Sequence, residues 1–278
     1  MTDPSALPDL DNEYNNRGRV PDYPAIVARW QADARAFRAS VQGEIDVAYG
    51  EEPRQVYDLF HTKDDQGGPL VCFIHGGYWR SFEKETFSHL ARGLSVHGIS
   101  VALPEYRLCP HVKIADIVTD IVQFAIHLHR RTGRKIVATG HSAGGHLAAC
   151  LAAADWAAHG MPEDLVTSGI GISGLYDLRP LLPTGINETL GMDEAAAREA
   201  SPLLWPTPQG RPFEAWVGAL ESSEFLRQSR TLSAVWTGAG APTRYVEIAG
   251  ANHFTAVDSL AEPMGALTRA LVDLVRAA

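Results

Sequence analysis

The sequence of 278 residues predicts an α/β fold in which a mostly parallel central sheet is flanked by helices. Continuous apolar runs such as residues 70–74 are typical of strands buried on both faces of a parallel sheet. Stretches with helical spacing of apolar residues separate these runs, so strand and helix alternate as in a doubly wound sheet. This length is common for one α/β domain, and we interpret residues 1–278 as a single domain.

The predicted elements follow from this alternation. Residues 44–49 and 55–60 alternate apolar and polar side chains, which indicates early antiparallel strands. The further predicted strands are residues 70–74, 99–103, 136–139, 169–172, 213–217 and 243–248. The predicted helices are residues 23–40, 83–96, 114–130, 142–158, 224–236 and 257–275.

Two segments lie outside the alternation. Residues 1–42 form an N-terminal segment that carries the first helix; its Asn-Asn-Arg run at 15–17 fits either a segment folded over a pocket or a solvated tail. Residues 175–210 are rich in proline and contain a short helical piece at 193–200. We expect this insert to form a small partial cap over the carboxyl edge of the sheet, where ligands of open α/β folds bind.

Composition excludes several classes of protein. A net charge of −9 argues against a nucleic-acid partner, because phosphate binding depends on clustered Lys and Arg. No apolar run is long enough to span a membrane, and the first residues lack the features of a secretory signal, so we expect a cytoplasmic protein. Only Cys72, Cys109 and Cys150 are present, which fits reduced thiols. We expect a small-molecule substrate, no metal and no cofactor, and keep a homodimer open.

The strongest chemical signal is Gly-His-Ser-Ala-Gly at residues 140–144. This G-x-S-x-G element follows a predicted strand and precedes a predicted helix, as a nucleophile elbow requires. Glycines relieve crowding in the sharp turn and leave the serine hydroxyl exposed at the positive end of the helix. The pattern predicts the α/β-hydrolase fold, with Ser142 as the nucleophile.

A second signal is His-Gly-Gly-Tyr-Trp at residues 75–79, directly after the strand at 70–74. In hydrolases of this type the loop at this place donates backbone N–H groups to an oxyanion. We expect the donors to be Gly77 and Tyr78, together with Ala143. Gly76, Trp79 and His146 are the candidate substrate-binding residues, although Trp79 could instead pack under the loop and His146 could support the site from behind.

The third signal is chain order, because the triad of an α/β-hydrolase runs from serine to acid to histidine. His253 lies in the loop between the last predicted strand and the last helix, where the base belongs. Glu221 follows the strand at 213–217 and is our first choice for the acid. Glu224 and Asp177 remain as alternatives.

Several segments together resemble the kynurenine formamidase (arylformamidase) branch of the α/β-hydrolases. They are residues 75–79, 140–147, 173–178 and 224–229, and the similarity runs from about Glu44 to the last helix. This resemblance implies hydrolysis of N-formylkynurenine to kynurenine and formate without a metal. It places the family serine on Ser142 and the family histidine on His253. The acid, commonly an aspartate in the family, falls on Glu221.

From these residues we hypothesise a serine hydrolase acting on an aryl formamide or a related aryl ester or amide through an acyl-enzyme. A general short-chain carboxylesterase is the alternative within enzymes. A ligand-binding protein that keeps the fold but not turnover is the alternative from another class. A ligand-binding protein need not retain the serine, the histidine and the oxyanion loop together. The presence of Ser142, His253 and this loop therefore argues against that alternative.

Overall fold

The computed structural model describes residues 8–278 and contains a sheet of eight strands in the order β1-β2-β4-β3-β5-β6-β7-β8. Strand β2 runs antiparallel to both of its neighbours, and the strands from β4 to β8 in this order are parallel. The mostly parallel sheet confirms the predicted fold class. The strands are β1 Gly43–Ala48, β2 Val56–Phe60, β3 Leu70–Ile74, β4 Val101–Pro104, β5 Ile136–His141, β6 Val166–Ile172, β7 Phe213–Gly218 and β8 Thr243–Ile248.

Helices cover both faces of the sheet. The α-helices are α1 Leu10–Tyr14, α2 Asn16–Arg19, α3 Tyr23–Ser40, α4 Ala91–Ser95, α5 Ile114–Thr132, α6 Ala143–Ala153, α7 Asn187–Leu190, α8 Glu194–Glu199, α9 Ser223–Gly238 and α10 Ala266–Ala277. Short 3₁₀ helices are Lys84–Leu90, Ala157–His159, Arg179–Leu181, Pro202–Leu204 and Thr255–Leu260. None of the helices within residues 8–278 combines the length and apolar character needed to cross a membrane.

Strand β3 shows how the sheet separates two apolar layers. Leu70, Cys72 and Ile74 belong to the core that includes α5 and α6. Val71 and Phe73 belong to the core on the opposite side, with α3 and α10. All five side chains are buried, because successive residues of a strand point to opposite faces and both faces are covered.

Three predicted helices are shorter or more broken than expected. The segment 83–96 divides into a 3₁₀ helix and α4, and the helix after Ser142 ends at Ala153. The segment 257–275 divides into a 3₁₀ helix and α10. Pro263 lies in the gap and lacks an N–H, and a Cβ on Gly265 would lie 1.8 Å from the carbonyl oxygen of Ser259.

Residues 10–19, which we call the N-terminal strap, pack against the body of the protein. The Tyr14 side chain is fully buried, and its hydroxyl donates to Oε2 of Glu224 at 2.8 Å. Gln228 donates to the same hydroxyl at 3.1 Å, and the Tyr78 hydroxyl donates to the Tyr14 carbonyl at 2.7 Å. The run at 15–17 therefore belongs to a folded segment. Residues 1–7, on which the predictions about a leader and the start of the domain partly rest, lie outside the described residues.

Candidate active site

Ser142 stands in a sharp turn between β5 and α6. Its backbone has φ 57° and ψ −119°, a conformation that non-glycine residues rarely adopt. The turn brings backbones so close that a Cβ on Gly144 would lie 1.9 Å from the carbonyl oxygen of Ile74. The Ser142 amide donates to the Ile172 carbonyl at 2.8 Å, which ties the turn to β6. The segment 140–144 thus has the geometry of a nucleophile elbow.

His253 and Glu221 form a hydrogen-bonded pair behind Ser142. Nδ1 of His253 donates to Oε2 of Glu221 at 2.7 Å, and both side chains are buried. The other oxygen of Glu221 accepts from the Ser173 hydroxyl at 2.5 Å and from the Gly218 amide at 2.7 Å. This arrangement fixes the imidazole and leaves its Nε2 atom available for another partner.

The two alternative acids are engaged elsewhere. Glu224 pairs with Arg227 at 2.7 Å, and although burial opposes ionisation, the hydrogen bonds from Arg227 and Tyr14 lower the pKa of Glu224. Asp177 pairs with Arg179 at 2.8 Å; burial again opposes ionisation, and the bonds from Arg179 lower the pKa of Asp177. Of the three carboxylates weighed, Glu221 is the one that contacts His253.

Ser142 and His253 line the same pocket, which measures about 310 Å³. Within residues 8–278 no hydrogen bond joins the Ser142 hydroxyl to the His253 ring. Catalytic hydrogen bonds are often long in the absence of substrate and tighten when it binds. The sheet therefore brings Ser142 and His253 to the lining of one cavity at its carboxyl edge. The lining residues are Asp11, Tyr14, Asn15, Asn16, Arg17, Trp30, Gly76, Gly77, Tyr78, Arg80, Ser81, Phe82, Phe87, His141, Ser142, Gly185, Ile186, His253 and Phe254.

His141 holds the base loop from below, a role that the sequence did not reveal. Its Nε2 atom donates to the His253 carbonyl at 2.8 Å, and the two rings lie 4.7 Å apart. Burial, together with the nearby His253, lowers the pKa of His141 well below its ordinary value. His141 is therefore neutral and adds no positive charge beside His253. The position of His141 directly before the elbow serine was the one feature of the sequence that could have indicated this role.

The loop after β3 approaches Ser142 with its main chain. A Cβ on Gly76 would lie 3.0 Å from the Cβ of Ser142, and Gly77 has a φ of +116°. Ala143 begins α6, so its N–H has no acceptor within the helix. In the described part of the chain, the amides of Gly77 and Tyr78 have no backbone acceptor either. These three amides are the candidate oxyanion donors.

His75 braces this loop. Its Nε2 atom donates to Oε1 of Glu105 at 2.8 Å, and the Tyr106 hydroxyl donates to the His75 carbonyl at 2.9 Å. The His75 and Tyr106 rings stack with their centroids 4.3 Å apart. The histidine contacts the frame of the loop and is absent from the lining of the pocket.

Two of the three candidate substrate-binding residues lie outside the pocket. Trp79 is fully buried and packs edge-on against His146, with the ring centroids 5.0 Å apart. His146 is also fully buried and donates through Nε2 to the Ala200 carbonyl at 2.6 Å. The positive φ values of Tyr78 and Trp79, 50° and 53°, accompany the sharp turn of this loop. Trp79 and His146 therefore do not line the pocket, in contrast to the prediction that they contact substrate, whereas Gly76 does line it.

Aromatic side chains other than Trp79 line the pocket. Phe82 and Phe87 come from the segment after β3, Trp30 comes from α3, and Phe254 follows the base. The N-terminal strap adds Tyr14 to the same lining. Six of the lining residues are Phe, Trp or Tyr, and they give part of the pocket a surface suited to a flat apolar group. No group of His, Cys, Asp and Glu suited to a metal ion occurs in residues 8–278.

The fold and the site define the class, and comparison with known proteins narrows it. The chain belongs to the α/β-hydrolases, and the BD-FAE family matches residues 57–166. A crystal structure from Silicibacter sp. TM1040, provisionally described as a thioesterase, superposes on this chain with a TM-score of 0.87. The two are 34% identical, and the match covers 95% of this chain and 99% of that one. Within that class it is similar to kynurenine formamidases over most of its length. The kynurenine formamidase of Danio rerio is 27% identical over 90% of this chain and 88% of its own length. That of Drosophila melanogaster is 29% identical over 77% and 75%.

Proposed function

We propose that the protein is a serine hydrolase that cleaves an aryl formamide such as N-formylkynurenine to kynurenine and formate. The observation that carries the proposal is the His253–Glu221 pair, joined at 2.7 Å, in the pocket that Ser142 lines. The likeness to kynurenine formamidases over most of the chain supports the substrate class. The aromatic wall of the pocket supports an aryl group.

In the first half-reaction, Oγ of Ser142 attacks the formyl carbon while Nε2 of His253 accepts the hydroxyl proton. Charge develops on the formyl oxygen, and the amides of Gly77, Tyr78 and Ala143 stabilise it. The C–N bond then breaks, and protonated His253 delivers its proton to the leaving aryl amine. This delivery matters because an anilide anion is a poor leaving group.

In the second half-reaction, water attacks the formyl ester on Ser142 while His253 accepts a proton from the water. The C–O bond to Ser142 breaks, formate leaves, and the hydroxyl regains its proton. Glu221 stabilises the imidazolium in both halves through its hydrogen bond with Nδ1. The proposed chemistry requires no oxidant, reductant or cofactor.

The test compares N-formylkynurenine with p-nitrophenyl acetate, with each product followed by absorbance and formate measured separately. We expect turnover of both substrates by the wild type and loss of both in Ser142→Ala. Cleavage of the ester alone would favour the general carboxylesterase. Absence of turnover with either substrate would favour a ligand-binding protein and overturn the proposal.

A further inference from the structure

Two arginine side chains lie at the mouth of the Ser142 pocket. Arg17 belongs to the N-terminal strap, and Arg80 belongs to the loop after β3. Both residues are exposed, yet both line the same cavity as Ser142 and His253. They therefore stand where a polar end of a substrate would lie while its reactive carbonyl meets the serine.

Neither guanidinium has a carboxylate partner among residues 8–278, although many other arginines of the chain do. The Arg17 group lies over the Tyr23 ring, 5.5 Å from its centroid, and Tyr23 stacks on Phe254 beside the base. Arg80 donates one N–H to the Thr189 hydroxyl at 2.9 Å. Each arginine is thus positioned by an uncharged neighbour and keeps further donors for a ligand.

The charge of the whole protein makes this arrangement informative. With a net charge of −9, the chain repels anions at long range. Asp11 is the one carboxylate among the lining residues, and its Oδ1 atom already accepts from the Gly185 amide at 2.8 Å. Two guanidinium groups at the mouth supply local attraction for a carboxylate group of a substrate that would otherwise be missing.

We propose that Arg17 and Arg80 bind a carboxylate of the substrate and so select aryl compounds that carry a carboxylate over those that lack one. Guanidinium groups bind carboxylates through paired, charge-assisted hydrogen bonds, which favours these side chains for the task. The inference rests on the proposed function in that it takes the Ser142 pocket as the site where substrate binds. N-formylkynurenine carries such a carboxylate on its amino-acid group.

The test measures binding, so that it does not depend on turnover. Its ligands are 4-(2-aminophenyl)-4-oxobutanoate and the corresponding neutral carboxamide, which share the aryl ketone and differ in charge. Calorimetry gives the Kd of each ligand for the wild type, Arg17→Ala and Arg80→Ala. The matched control is Arg19→Ala: Arg19 lies in the same short helix as Arg17 but pairs with Glu13 at 3.7 Å and lines a neighbouring cavity.

We expect the wild type to bind the acid more tightly than the amide. Arg17→Ala and Arg80→Ala should each raise the Kd of the acid about tenfold and leave the Kd of the amide unchanged. Arg19→Ala should bind both ligands as the wild type does. Added salt should raise the Kd of the acid but not that of the amide, because exposed charges are screened. Equal affinity for acid and amide, or equal weakening of both in the variants, would overturn the inference. Absence of formamide hydrolysis with selective acid binding would overturn the proposed function alone.

Discussion

The imidazole of His253 and the carboxylate of Glu221 are joined by a hydrogen bond of 2.7 Å between Nδ1 and Oε2. The second carboxylate oxygen accepts from Ser173 and Gly218, so both oxygens of Glu221 are engaged. A glutamate can make this bridge because its longer side chain crosses from the end of β7 to the histidine loop. Glu224 and Asp177 pair with arginines and do not contact His253, so substitutions of these two carboxylates can be used as controls.

We expect Glu221→Gln to lower kcat by about 10²- to 10⁴-fold, because an amide neither stabilises the imidazolium nor fixes the tautomer of His253. The fold should be retained, since Gln is nearly isosteric. Steady-state hydrolysis of p-nitrophenyl acetate measures the effect. Glu224→Gln and Asp177→Asn, which alter carboxylates paired with arginines, serve as controls. A Glu221→Gln enzyme with near-normal kcat would show that Glu221 is not the triad acid.

Ser173→Ala should lower kcat more mildly, by about tenfold, because it removes one charge-assisted hydrogen bond that holds Glu221. Ser173 acts as a positioning residue through Glu221, so KM should change little. A purely structural role would instead lower stability and leave kcat of the folded enzyme unchanged. We therefore expect the loss in Ser173→Ala to appear in kcat while KM is kept, and an unchanged kcat would argue against this role.

The strands and the residues of the site illustrate what sequence could predict. Residues 70–74 and 243–248 were predicted with the same boundaries that the structure has. The first is a continuous apolar run, and the second is an edge strand between segments that contain Gly and Pro. Ser142, Glu221 and His253 could be singled out because chain order and motif constrain them. Their meeting in one place follows from parallel strands whose carboxyl ends share an edge.

Other contacts depend on tertiary packing, which a local pattern does not encode. Trp79 was a candidate for contact with substrate or for packing under its loop, and the ring in fact packs against His146. The strap was ambiguous in sequence because its short helices have little periodicity, and Tyr14 meets Glu224 across 210 positions. Such contacts depend on where distant segments end, and no spacing rule predicts them.

Tyr14→Phe should lower the free energy of unfolding by about 1–3 kcal/mol, because Glu224 and Gln228 lose a buried hydrogen-bond partner. Detachment of the strap should also raise KM for N-formylkynurenine. Urea unfolding followed by tryptophan fluorescence measures the first effect. Tyr23→Phe, which keeps the stacking on Phe254, is the control. Unchanged stability and KM in Tyr14→Phe would contradict this prediction.

Gly144→Ala should prevent correct formation of the elbow, because the new Cβ would lie 1.9 Å from a backbone oxygen of Ile74. We expect a loss of about 3 kcal/mol or more, or insoluble protein, since the crowded atoms belong to main chain that cannot move freely. Gly68→Ala is the matched control, because nothing lies within 4 Å of a Cβ at that position. Thermal unfolding compares the two, and equal stability would be inconsistent with the crowded turn.

The pH dependence of stability should report on buried His146, since burial lowers the pKa of His146 to about 4. In the unfolded chain a histidine binds its proton below about pH 6.5, so between pH 6.5 and 4 the unfolded state binds more protons. Neutral, buried His146 therefore contributes to the free energy of unfolding above pH 6.5. This contribution is lost as pH falls, by up to about 3 kcal/mol near pH 4.

His146→Gln should therefore show a smaller loss of unfolding free energy between pH 7 and pH 4.5 than the wild type, as measured by urea titration. Gln can keep a donor for the Ala200 carbonyl. His111→Gln, at an exposed position, is the control and should keep the wild-type slope. Identical slopes for His146→Gln and the wild type would show that His146 does not titrate as described.

Under the proposed function, the N-terminal strap holds part of the substrate-binding surface apart from the residues of bond cleavage along the chain. Asp11, Asn15, Asn16 and Arg17 line the pocket from one short segment, whereas Ser142 and His253 come from the ends of the sheet. Under the proposed function, substitutions in this segment that keep the contacts of Tyr14 and Asn16 with Tyr78 would change the compounds accepted while Ser142 and His253 stay in place. Libraries aimed at altered selectivity would begin there.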